Sequence, residues 1–78
     1  MHIGTKLRLI RRRDRITQQE LAERSGIPCG TICGYERGKH EPTYFAVECL
    51  LNAMGYRLVI ARDKRDNANG KPKNGENI

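Results

Sequence analysis

A chain of 78 residues holds one small domain with little stability in reserve. Its 15 Lys and Arg stand against 9 Asp and Glu, and the net charge of +6 favours a polyanionic partner such as nucleic acid or an anionic membrane. No window approaches the roughly 20 apolar residues of a membrane-spanning helix, and the opening MHIGTKLRLIRRR has no apolar stretch of the kind a secretory signal needs. A cytoplasmic location is therefore expected. Cys29, Cys33 and Cys49 make an odd set, which fits reduced thiols better than a disulfide framework.

Ile3, Leu7 and Ile10 recur at i, i+4 and i+7, which predicts a first helix over about 3–13, with Leu9 off the apolar stripe. Arg8, Arg11, Arg12 and Arg13 cover its other sides and gather toward its C-terminal end, where cations suit the helix dipole. Thr17-Gln18-Gln19-Glu20 is a capping box, and Ile16 with Leu21 fits a hydrophobic staple. A short second helix is expected over 18–24, ended by Gly26. Pro28 suits the first turn of a third helix over 28–36, in which Ile32 and Tyr35 face inward and Gly38 follows the end. Its internal Gly30 and Gly34 each cost roughly 1 kcal/mol against Ala, so this helix depends on its neighbours.

Thr43 is placed to cap a fourth helix, with Phe45, Ala46, Val47, Leu50, Leu51 and Met54 forming its apolar face and Gly55 closing it. The segment 56–61, YRLVIA, is β-branched and aromatic and is read as a strand. A lone strand in a helical monomer has no partner, so Tyr56, Leu58, Val59 and Ile60 are expected to pair across a homodimer. From Arg62 onward only Ala68 and Ile78 are apolar, and 62–78 is read as a disordered polar tail.

Two short helices joined by a tight turn describe a helix-turn-helix. The block TQQELAERSGIPCGTICGYERG, residues 17–38, resembles the lambda-repressor/Cro-like (Xre) family. The matching residues are Thr17-Gln18, Glu20-Leu21-Ala22, Ser25-Gly26-Ile27, Thr31-Ile32, Tyr35-Glu36-Arg37-Gly38 and Pro42. The resemblance implies an all-α domain of four to five helices over 1–55 that binds double-stranded DNA. It also implies roles. Gln18 would contact a DNA phosphate at a helix N-terminus. Arg11 and Glu36 would form a structural salt bridge that turns Arg11 toward phosphate. Arg37 and Lys39 would meet the backbone after the recognition helix.

Base readout would fall to Cys29, Gly30, Thr31, Cys33 and Gly34. Here the chain departs from its relatives, which often carry Gln, Asn, Ser, Arg or Lys at these positions. Direct readout generally uses bidentate Arg, Asn or Gln, so specificity is expected to lean on DNA shape or on Arg37 and Lys39. Cys29 and Cys33 have a spacing that could chelate a metal or sense oxidation. The simpler reading is cysteine in place of serine, and no metal or cofactor is expected.

The stretch LLNAMGYRLVIARDKR, residues 50–65, is similar to antitoxins of the HipB type, in which a helix leads into a strand that pairs with its twin. Two functions stay open. One is a repressor acting as a homodimer. The other is an antitoxin that neutralises a partner toxin and regulates its own operon. No catalytic set, metal cluster or phosphate-binding glycine loop is present in the sequence, so an enzyme is not expected. Membrane binding is not expected either, because the apolar face of the first helix lacks Trp and Phe.

Overall fold

A computed structural model of the protein describes residues 2–63. Its helices are α1 (Ile3–Arg13), α2 (Gln18–Ser25), α3 (Cys29–Glu36) and α4 (Tyr44–Ala53). α3 packs against α1 and α2, and α2 packs against α4. Leu7, Ile16, Leu21, Ile32, Val47, Leu50, Leu51 and Met54 form one core. Leu21, Ile32 and Leu50 are wholly enclosed, and each burial of this kind is worth about 1.5–3 kcal/mol. Among the described residues the fold is an all-α helix-turn-helix arrangement, as the resemblance implies.

Local chemistry sets the helix boundaries. His2 caps α1, its Nδ1 accepting from the Thr5 N–H at 3.3 Å. The capping box of α2 is complete: the Glu20 N–H donates to Thr17 Oγ1 at 3.0 Å, and the Thr17 N–H donates to Glu20 Oε1 at 2.8 Å. Thr43 caps α4 through the Ala46 N–H. Pro28 stands at the N-cap of α3 rather than in its first turn, and no side chain caps that helix. Its carbonyl instead accepts from both Thr31 and Ile32 N–H, and its missing N–H forfeits nothing there.

The hydrogen bonds of Thr17, chiefly that from its backbone N–H, hold the Glu20 carboxyl below the usual glutamate range. Because the folded-state value is the lower one, this support is complete above about pH 4.3, the unfolded glutamate value, and fades as pH falls through the folded value. An NMR titration should place the Glu20 midpoint below that of an unstructured glutamate, with the first-turn amides of α2 losing exchange protection as that midpoint is crossed. A midpoint at or above that of an unstructured glutamate would show that the cap does not form in solution.

Three helices end in the same way, with a residue at positive φ and a pair of backbone hydrogen bonds that reverse the chain. At α1 the residue is Arg15, with Arg15 N–H to Arg12 O and Ile16 N–H to Arg11 O. At α3 it is Gly38, with Gly38 N–H to Tyr35 O and Lys39 N–H to Gly34 O. At α4 it is Gly55, with Gly55 N–H to Asn52 O and Tyr56 N–H to Leu51 O.

The reversal at Gly55 sends Tyr56 to the end of α1, where its hydroxyl accepts from Arg13 Nη2 at 2.7 Å and donates to Asp14 Oδ2 at 2.9 Å. Beyond it, 56–61 carries no strand. Strand structure requires a second strand, and within one chain this segment instead lays Tyr56 and Leu58 against the core. Val59 and Ile60 point outward, 67 % and 84 % exposed. Phe45 also corrects the sequence reading. It is 71 % exposed, because at 100° per residue it falls nearly opposite the middle of the stripe formed by Ala46, Val47, Leu50, Leu51 and Met54. Of the polar tail, Arg62 and Asp63 carry no helix or strand, and 64–78 lies outside the described residues.

Candidate nucleic-acid interface

The site is organised by one carboxylate. Glu36, the last residue of α3, has a side chain only 3 % exposed. Its Oε2 accepts from Arg11 Nε at 2.8 Å and its Oε1 from Arg11 Nη2 at 2.9 Å, a two-point clamp from α1. Oε1 also accepts from Gln18 Nε2 at 2.9 Å, from the first position of α2. Arg11 completes the knot by donating from Nη1 to the Ile16 carbonyl at 2.9 Å. One buried anion therefore fixes the ends of three helices relative to each other. The hydrogen bond and charge of Glu36 raise the Arg11 guanidinium above its ordinary value despite partial burial, so the guanidinium stays charged.

Gln18 is held rather than free. One N–H of its amide goes to Glu36, and its Oε1 lies 4.0 Å from Cys29 Sγ. The second amide N–H is the group available to a ligand at the α2 N-terminus. Arg11, at 12 % side-chain exposure, has three of its five N–H groups engaged inside the protein. Its place is to orient the site. Arg37 caps the C-terminus of α3, and both Arg37 and Lys39 are exposed.

The outward side of α3 carries little side-chain volume. Gly30 is exposed, and Cys29, Thr31 and Cys33 are half-buried. Gly34 is buried, which corrects its assignment to the open face: the His40 ring covers it. Sequence reasoning missed His40, whose position depends on the chain reversal at Gly38. It also missed the Gln18–Glu36 bond and Gly4. Gly4 lies in α1 at the crossing with α3, and a Cβ there would overlap the Tyr35 carbonyl oxygen. A signal existed for Gly4, since a glycine inside a predicted helix costs stability against Ala and so implies a packing reason.

Among the described residues, no three His, Cys, Asp or Glu side chains converge as metal ligands would. No helix among them is long and apolar enough to cross a membrane. What remains is a short helix presented outward, bordered by a helix N-terminus with an oriented amide and by exposed cations. This geometry defines a DNA-binding helix-turn-helix protein. Residues 2–59 match the family profile described as Helix-turn-helix domain, and the chain belongs to that family. No curated protein and no solved structure matches the chain significantly.

Proposed function

We propose that the chain is a sequence-specific repressor that binds operator DNA as a homodimer in the cytoplasm, without enzymatic activity or a cofactor. The observation that carries this reading is the Glu36 knot, which sets α3 outward while turning the Gln18 amide to its side at the α2 N-terminus. α3 enters the major groove. The free amide N–H of Gln18 and the first-turn backbone of α2 take one phosphate, and Arg37 and Lys39 take others. Two copies read half-sites about 34 Å apart. Tyr56 and Leu58 are committed to their own core, so Val59 and Ile60 are the apolar groups left for the second copy.

The antitoxin alternative uses the same DNA face and adds a toxin partner. It rests on the resemblance of residues 50–65, and co-purification with the product of an adjacent gene would separate it from a plain repressor.

Selection from random duplexes, followed by fluorescence anisotropy over a salt series, tests the proposal. Log affinity should fall linearly with log salt by roughly 0.9 per phosphate contact. Gln18→Ala should weaken all duplexes alike, by about tenfold, the size of one charge-assisted hydrogen bond. Failure to enrich any sequence at low salt would overturn DNA reading. A Val59→Asp/Ile60→Asp variant should sediment as a monomer, and persistence of the dimer would move the interface elsewhere.

A further inference from the structure

α3 lacks the long polar side chains that read base edges, yet its face is not bare. The reversal at Gly38, closed by Lys39 N–H to Gly34 O at 2.9 Å, carries the next residue, His40, back over the helix. A Cβ built on Gly34 would lie 2.7 Å from His40 Cδ2, 3.4 Å from Nε2 and 3.8 Å from Cγ. The ring therefore sits on Gly34, in the space that a side chain at that position would take. The Cδ2–Nε2 edge faces the helix, which leaves Nδ1 on the far side. His40 remains exposed while Gly34 beneath it is buried. On the other side of this patch Gly30 is open, with nothing within 4 Å of a would-be Cβ.

We propose that His40 is a specificity-determining residue, a side chain lent by the loop to the recognition face of α3, and that its ring reads a purine N7 in the major groove. Imidazole offers an N–H donor, and N7 is the acceptor that both G and A present there. Gly34 is the seat that makes this possible, because any larger residue would occupy the ring's place. The inference rests on the DNA-binding reading above and adds which side chain discriminates.

The experiment uses the full chain and the duplex selected by the wild type. His40→Ala should lose preference at one base-pair position in each half-site and weaken the selected duplex by about fivefold to tenfold, as expected for one hydrogen bond. Affinity for random duplex should not change. Replacing the purine at that position with its 7-deaza analogue should weaken the wild type by the same factor and leave His40→Ala unaffected. Gly34→Ala, which displaces the ring without removing it, should reproduce the loss of preference. Melting curves of both variants separate this from unfolding. An unaltered preference in His40→Ala, or a loss equal across all sequences, overturns the assignment while leaving DNA binding intact. A wild type that selects no sequence overturns the parent reading, and this inference falls with it.

Discussion

Glu36→Ala should cost about 3–5 kcal/mol of folding stability, because it strands the Arg11 guanidinium in a half-buried setting without its counter-charge. The loss also releases the Gln18 amide and the hold of α3 on α1 and α2. A domain of this size has a total stability near the low end of the usual range, about 5 kcal/mol, so the variant should be largely unfolded at 37 °C. Urea denaturation followed by far-UV circular dichroism is the measurement. Arg11→Ala should be comparably severe, since it leaves a carboxylate at 3 % exposure unpaired. The double variant should cost less than the two losses added together, because neither charge then remains to be orphaned. Arg11→Lys should recover only part, as an ammonium cannot reproduce the two-point clamp. A Glu36→Ala protein within about 1 kcal/mol of wild type would show that the carboxylate does not organise the fold.

Gly4→Ala and Gly30→Ala should act in opposite directions, although both place the same methyl on a helix. Alanine is the better helix former by about 1 kcal/mol. At Gly30 the methyl meets open space, so that preference should appear as a gain of up to about 1 kcal/mol. At Gly4 it meets the Tyr35 carbonyl, a backbone atom that cannot swing aside, and α1 must part from α3. Overpacking of this kind costs about 3 kcal/mol, so a net loss of about 2 kcal/mol is expected. Thermal melts of the two variants beside wild type decide it. A Gly4→Ala protein as stable as Gly30→Ala would mean that the two helices do not cross so closely.

Most of the fold was legible because it is written in local chemistry. Thr17 with Glu20, Thr43, and the glycines at 26, 38 and 55 act within a few residues of themselves, and the helices begin and end close to where those signals stand. Errors arose where one residue's fate depends on another far along the chain. Phe45 belongs to an apolar run, but only the direction of the whole stripe shows that it faces out. Segment 56–61 is a different case: its strand composition concerns pairing between two copies, while within one chain Tyr56 meets Arg13 and Asp14. At the site, the spacing of 25 residues between Arg11 and Glu36 has no local logic and was available only by resemblance. The cover of Gly34 by His40 was invisible for the same reason, since it follows from the geometry of the turn at Gly38.

The makeup of α3 limits how it can be engineered. It has two internal glycines, no side-chain cap and only eight residues, so almost none of its order is its own. Its scaffold lies in Arg11, Gln18 and the loop that brings His40, all outside its span. Grafting residues 29–36 onto a foreign support would transplant a sequence without its shape. A redesign of what this protein recognises must carry those outlying side chains with it as one block.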